Sequence, residues 1–436
     1  MLPRVVLGFL LMSLVAAAPG SVEKRQKVTA LPLSTRGRDI IDGTGNVFHF
    51  ISTNWPGHQE IMIPEGLQFA SAEDIAARLP KLGLNSVRMP FAIEMVDDYL
   101  ANSPKQTLEK SVLNAVPGTN GTDLLNAILK NNPKFTKDTT RLQVWDAVAQ
   151  ALSDQGILIH LDNHVSKAMW CCAQDDGNDW FGEKYFDVEK WKQGLAFMAK
   201  HASTAQENWN TFVSIGLRNE LRAAQQAEPV DWYTWYVHMT AAADAVHTAA
   251  PNALIFFSGL SYDTYIDPIP LGQPLQGTAN TATAGKTATF DPSTFAWKNK
   301  IVLEIHKYDF EQTHDDCTTF KTKWYQKGFQ AVNASDPNTK HLFPMVISEW
   351  GFINNGVYWN QTTYAACLVE MVKEYKVGSM NWVLAGSYYL QTRPGRTPAT
   401  LIGPDEAWGI LNYDWSDTRS PVTVENSLLK MGEALS

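Results

Sequence analysis

Two glutamates stand where apolar runs stop. Glu220 closes the stretch Phe212-Val-Ser-Ile-Gly-Leu-Arg-Asn219-Glu220, and Glu349 closes Pro344-Met-Val-Ile-Ser-Glu349-Trp-Gly. Two carboxyls brought face to face across one cleft suit glycoside hydrolysis. One must be protonated to give a proton to the leaving oxygen, and the other must be ionised to attack the anomeric carbon. Other apolar runs also end in groups that are costly to bury without partners: Arg88; Asp162 and His164; Asn219 beside Glu220; His306 and Tyr308; and, late in the last run, Trp382. Their natural tasks follow from type. Arg88 and Tyr308 hold Glu349 ionised. A raised pKa keeps Glu220 protonated, through the neighbouring negative charge and partial burial. Asn219 donates to a sugar 2-hydroxyl, His306 and Tyr308 share one face of a strand, and Trp382 floors the reacting sugar. Adjacent residues of a regular strand point to opposite faces, so Asn219 and Glu220 both reach a site only where the pleat ends or bulges.

Eight strand-length runs carry these residues: Val47–Thr53, Ser86–Phe91, Ile157–Asn163, Phe212–Leu217, Leu254–Ser258, Ile301–His306, Pro344–Ser348 and Ser379–Leu384. They lack clean alternation, as strands buried on both faces do. Amphipathic stretches lie between them at Ala72–Leu82, Thr140–Gln155, Val188–Ala202, Asp231–Thr248, Thr319–Phe329 and Thr362–Tyr375, and Ser427–Leu435 closes the set. Alternating β and α over eight units predicts an α/β fold, a (β/α)₈ TIM barrel with its site at the C-terminal ends of the strands. Residues 97–137, 267–294 and 386–416 read as long insertions on that same face. Leu33–Asp39 and Asp42-Gly-Thr-Gly45 read as a small N-terminal hairpin plugging the floor.

The first 18 residues have the form of a signal peptide: Arg4, an apolar run over 5–17, and small residues Ala16-Ala-Ala18. Lys24-Arg25 marks either a processed pro-segment over 19–25 or a solvated pair in a frayed terminus. Residues 26–436 then form one catalytic domain. Secretion to the extracellular space is expected, with no membrane span. Sequons at Asn120, Asn333 and Asn360 are candidate glycosylation sites. Of the four cysteines, adjacent Cys171 and Cys172 are expected to avoid each other, so each should pair with a distant partner among Cys317 and Cys367. Net charge is −9, from 45 acidic and 36 basic side chains, which argues against nucleic acid as a partner. No cofactor, metal or obligate protein partner is expected. The partner is a carbohydrate or glycoside, and the 15 tryptophans suit stacking on sugar rings or simply a large core.

The ordered set Ser86-Val-Arg88, Leu161-Asp-Asn-His164, Leu217-Arg-Asn219-Glu220, Ile305-His306-Lys-Tyr308, Ile347-Ser-Glu349-Trp-Gly and Asn381-Trp382 resembles glycoside hydrolase family 5, over most of the chain. The resemblance implies Glu220 as acid/base and Glu349 as nucleophile of a retaining β-glycosidase. It implies that Arg88, His164, Asn219, His306, Tyr308 and Trp382 hold the reacting sugar. Leu221 stands where the family usually has Pro, and Asn163 where it often has Trp. Asn54-Trp-Pro-Gly-His58, Met62-Ile-Pro-Glu-Gly-Leu67 and Asp162-Asn-His-Val-Ser-Lys-Ala-Met-Trp-Cys-Cys172 look more like a fungal branch containing diglycosidases. Rutinosidase-like, exo-type release of a glucose or disaccharide from a small aglycone is the reading, with an endo-β-1,4-glucanase as the alternative. Two readings of other classes compete. His160-x-Asp162-x-His164 could ligate a metal in a barrel hydrolase, and a barrel without turnover could simply bind sugar.

Overall fold

The computed structural model describes residues 30–435 apart from 103–105, 225–226, 309–315 and 394–396. The signal-peptide and pro-segment expectations for residues 1–25 lie outside that range. Eight parallel strands close a barrel: β1 (Ile51–Asn54), β2 (Ser86–Ala92), β3 (Leu158–Val165), β4 (Phe212–Gly216), β5 (Leu254–Phe257), β6 (Ile301–Lys307), β7 (Met345–Trp350) and β8 (Gly378–Asn381), with β8 pairing back onto β1. The alternation hidden in the uniformly apolar runs appears once they are folded. Along β3, Ile159 and Leu161 face the surrounding helices, while Leu158 faces the barrel interior. By the two-residue period His160, Asp162 and His164 point inward with Leu158.

The interior is layered. Its lowest layer is apolar, with Phe50, Leu158, Val213, Leu254, Phe256, Val302, Val346 and Met380 packed on Leu33, Ile40 and Phe48 from below. Each such side chain contributes about 1.5–3 kcal/mol relative to an exposed one. The layers above it turn polar, with Arg88, Asp162, Glu304 and His306 all buried. The floor is a three-stranded antiparallel sheet, Ser34–Arg36, Asp39–Ile41 and Val47–Phe48, one strand more than the expected hairpin. The first predicted strand, Val47–Thr53, is therefore two pieces. Val47–Phe48 belongs to the floor and Ile51–Asn54 to the barrel.

Helices cover the outside. The helix Arg141–Asp154 starts on a capping box in which Thr140 and Gln143 satisfy each other's backbone N–H groups. Val188–Thr204 and Trp232–Ala249 begin on Asp187 and Asp231, whose carboxylates accept from the first-turn amides. The predicted helix over 72–82 is shorter, Ala72–Ala76 followed by a 3₁₀ turn at Pro80–Leu82, because proline interrupts it. Residues 97–137 are more ordered than an insertion loop, holding the end of a helix Ile93–Asn102 and two more, Leu108–Ala115 and Thr119–Asn131. Residues 267–294 hold no α-helix, only a short hairpin, Leu275–Gln276 with Thr287–Ala288, and a 3₁₀ turn. Residues 386–416 carry a second hairpin, Leu390–Thr392 with Thr400–Ile402. Among the described residues no helix is long and apolar enough to cross a membrane.

The cysteine expectation is corrected. Cys171 is bonded to Cys172 and Cys317 to Cys367. The expectation rested on the strain of a ring closed between neighbours; the two are bonded nonetheless, and the Cys171–Cys172 peptide is cis. Cys317–Cys367 ties the helix Cys317–Tyr325 to its neighbour Tyr364–Tyr375. Of the sequon asparagines, Asn120 and Asn360 are exposed. Asn333 is half-buried and donates from Nδ2 to the Tyr325 hydroxyl at 2.9 Å.

Candidate active site

Both glutamates escape their strand's alternation, each by a different device. On β7 the pairing with β6 steps from Ile305↔Ile347 to His306↔Glu349, so Ser348 is an extra residue and Glu349 is re-aimed into the mouth. On β4 regular pairing ends at Gly216, and Glu220 adopts a left-handed backbone, φ +48°. That turn lets Asn219 and Glu220 serve one site. It is an uncommon conformation for a non-glycine residue and needs support. Asp263 supplies it, accepting the Glu220 backbone N–H on Oδ2 at 2.8 Å.

Arg88 organises what lies between. Its Nη1 donates to Glu349 Oε1 at 2.6 Å and to Asn54 Oδ1 at 2.8 Å, and its Nη2 donates to Asn219 Oδ1 at 2.8 Å and pairs with Asp162 Oδ1 at 3.0 Å. The Tyr308 hydroxyl donates to Glu349 Oε2 at 2.7 Å. His306 Nδ1 lies 2.9 Å from Glu220 Oε1 and 3.6 Å from Glu349 Oε2. One carboxylate oxygen from each glutamate and a His306 ring nitrogen all lie within 4.8 Å of one another. His164 pairs through Nδ1 with Asp162 at 2.7 Å and stacks on Trp382, ring centroids 5.4 Å apart.

The electrostatics separate the two carboxyls. Burial lifts the Glu220 pKa to about 7, against lowering by Arg222 and Arg88. Both causes expected from sequence act, burial first and the negative charges of Asp162 and Asp176 after it. Burial also raises Glu349, but His306, Arg88 and the Tyr308 hydrogen bond oppose the rise. Burial lowers His306 to about 4 and holds His164 well below its ordinary value, so both rings are neutral near pH 7. A neutral His164 then donates Nδ1–H to Asp162.

Six of the eight residues named from sequence line one cavity of about 990 Å³: His164, Glu220, His306, Tyr308, Glu349 and Trp382. Arg88 and Asn219 lie behind it, bonded to its wall. The proposed metal triplet does not form a chelate. His160 sits lower, with Nδ1 2.9 Å from Ser214 Oγ and its ring against Phe256, while Asp162 is taken by Arg88 and His164. Donor atoms converge instead in two groups that share Glu220, one with His306 and Glu349 and one with the bonded Cys171 and Cys172. Sequence reasoning missed Asn54, Asp263, the Cys171–Cys172 pair as a cavity wall, and Trp408, whose ring lies 5.6 Å from that of Tyr308. Asn54 ends β1 as a polar residue after an apolar run, the same signal that marked the others. Asp263 gives none, because it lies in a loop and acts on a backbone amide.

The family model for cellulase (glycosyl hydrolase family 5) matches residues 41–387. The chain belongs to glycosyl hydrolase family 5. A relative from Chamaecyparis obtusa, described as a glycosyl hydrolase 5 family protein, is 32% identical over 400 residues. The match covers 90% of this chain and 64% of that relative, so the chain spans a little under two thirds of its length. Solved family structures share the barrel. The catalytic domain of the major endoglucanase from Xanthomonas campestris pv. campestris superposes with a TM-score of 0.62 at 16% identity, covering 92% of this chain and 99% of that one. An endocellulase from Pyrococcus horikoshii, in complex with cellotetraose, gives 0.61 at 18% identity, covering 94% and 100%.

Proposed function

We propose that this family 5 chain is a retaining β-glycoside hydrolase with Glu349 as nucleophile and Glu220 as acid/base. The observation that carries it is the approach of their carboxylate oxygens to within 4.8 Å, with Arg88 and Tyr308 both bonded to Glu349. Double displacement works at a separation of about 5–5.5 Å between carboxyl groups, and inversion needs a wider gap to admit water. In the first step a Glu349 oxygen bonds to the anomeric carbon as the glycosidic C–O bond breaks. Glu220 passes its proton to the departing oxygen, which leaves as an alcohol. In the second step Glu220 takes a proton from water, whose oxygen attacks the same carbon and releases Glu349 as carboxylate. Neutral His306 serves both steps, since Nδ1 can accept from protonated Glu220 or donate to its carboxylate. Arg88 holds Glu349 through Nη1 and Asn219 Oδ1 through Nη2, which fixes the Asn219 side chain relative to the nucleophile.

The substrate reading is exo-type cleavage of β-glucosides or diglycosides of small aglycones, in the manner of rutinosidases. It is supported by residues that follow β5 and β8, among them Tyr262 and Trp408, which line the cavity beside the glutamates and favour a pocket. An endo-β-1,4-glucanase is the second reading, favoured by the endocellulase structures that share the barrel. Side-by-side product analysis with rutin, hesperidin, an aryl β-glucoside and a soluble β-glucan decides between them. Disaccharide release from rutin supports the first, and falling glucan viscosity the second. Inverted product at early times by NMR would falsify the retaining mechanism. We also propose secretion, on the leader-like start, the sequons and the two disulfides. Recovery of protein from the medium with its N-terminus near Gln26 is the expected result.

A further inference from the structure

Next to Glu220 the cavity wall is made of sulfur. Cys171 and Cys172, bonded to each other, line the same cavity as Glu220, His306 and Glu349. Both Sγ atoms and one Glu220 carboxylate oxygen lie within 4.8 Å of one another. Asn219 Nδ2 is 3.6 Å from each sulfur, while its Oδ1 is held by Arg88. The segment that carries the pair is fixed from behind. Arg222, itself buried, pairs with Asp176 and Asp179 at 2.7 Å each and donates to the Ala173 carbonyl at 3.2 and 3.1 Å. The sulfurs are thus held in place facing the cavity rather than left on a loose surface loop.

Position sets what the sulfurs touch. A proton leaving Glu220 goes to the oxygen joining sugar and leaving group, which must lie within about 3 Å of that carboxyl. The group beyond that oxygen therefore starts alongside the sulfurs. A bonded cysteine pair carries no charge, has no S–H to donate and is a poor acceptor, so it cannot compete for the proton. Its polarizable sulfurs suit an aromatic ring. Trp170 and Tyr262 line the cavity as well, adding aromatic surface. We propose that the Cys171–Cys172 pair is the wall of a leaving-group subsite built to take an aromatic aglycone. This rests on the hydrolase reading above and deepens it.

The test compares kcat/KM for para-nitrophenyl β-glucoside with that for β-glucosyl fluoride, whose leaving group has no ring to contact a wall. In the double variant Cys171→Ser/Cys172→Ser the ratio of aryl glucoside to fluoride should fall about tenfold, the scale of a lost sulfur–aromatic contact. Folded native protein treated with dithiothreitol provides a second arm if the variant does not fold. There the reagent is oxidised to its cyclic disulfide while the Cys171–Cys172 bond gains two electrons and two protons, and peptide mapping shows which thiols have formed. With only Cys171 and Cys172 opened, the sulfurs remain but are free to turn from the cavity, so the ratio should fall in the same direction and by less. An unchanged ratio in both arms overturns the wall, even if both rates drop together through Asn219. Failure of the native protein to turn over either substrate would instead remove the hydrolase reading, and the wall with it.

Discussion

Carboxylate oxygens of Glu220 and Glu349 come within 4.8 Å of each other, with a His306 nitrogen inside the same distance. Their partners differ, and the difference divides the labour. Glu349 has two donors, Arg88 at 2.6 Å and Tyr308 at 2.7 Å, whereas Glu220 Oε1 meets the neutral His306 ring at 2.9 Å.

Replacing each glutamate should therefore leave a different trace. Glu349→Gln replaces the carboxylate placed to form a glycosyl ester with a neutral amide and should abolish turnover on every substrate. Glu220→Gln should cost on the order of 10²–10⁴ on a poor leaving group. On a nitrophenyl glycoside it should cost far less in the first step, because that leaving group needs no proton. Pre-steady-state and steady-state rates on the two substrates separate these outcomes, and equal losses on both would contradict the assignment.

The pH profile should fall on its alkaline side as Glu220 loses its proton near pH 7. The acid limb belongs to Glu349. Tyr308→Phe removes a donor that favours the ionised form, so that limb should move to higher pH while the alkaline limb stays. Rates of kcat/KM measured between pH 3 and 9 check both directions, the range being about that of carboxylate and shifted-carboxylate titration.

Stability should follow the same group with a defined sign. A carboxyl whose folded pKa is raised binds its proton more tightly in the native state, so native stability falls as pH rises from the unfolded pKa through about 7. Glu220→Gln should be the more stable protein above pH 7, by up to about 3 kcal/mol. The difference should vanish below the ordinary glutamate pKa. Denaturant unfolding at acid and neutral pH reads it directly.

Asp263 is a positioning residue. Its Oδ2 accepts the Glu220 amide, its backbone carbonyl accepts the His306 N–H at 2.9 Å, and it has left-handed backbone itself, φ +55°. Asp263→Ala leaves a buried N–H without an acceptor and should cost about 1–3 kcal/mol. Asp263→Asn keeps an acceptor and should restore most of that stability. Loss of kcat on substrates needing protonation, rescued by Asn, is the signature that plain destabilisation would not produce.

The Cys317–Cys367 bond closes a sequence separation of 50 residues. Its removal by Cys317→Ala/Cys367→Ala should lower stability by about 2–4 kcal/mol, measured by denaturant midpoint, with little change in KM.

The barrel and eight of its site residues were legible because an apolar strand that ends in Arg, Asp, His or Glu marks where buried chain meets a solvated mouth. Other parts were not. Glu220 and Glu349 reach the site through a left-handed turn and a bulge, and no residue type announces either. The helix Thr119–Asn131 holds Gly121 and several asparagines, poor helix formers, and forms because Leu125 and Ile128 pack into the core. Gly121 is required there, since a Cβ would lie 1.7 Å from the Val116 carbonyl. The Cys171–Cys172 bond joins neighbours, a pairing that strain arguments from sequence disfavour.

The floor sheet described above has an effect at the opposite end. With Leu33, Ile40 and Phe48 stoppering the base, an apolar layer separates the interior charges from the solvent below. Arg88 pairs there with the carboxylates of Asp162 and Glu349, and the Glu349 side chain faces the cavity at the open rim. A sugar ring at that rim, acquiring oxocarbenium character, enters a field already directed to favour it. The lower third of the barrel, remote from any substrate atom, thereby shapes the reaction by withholding solvent.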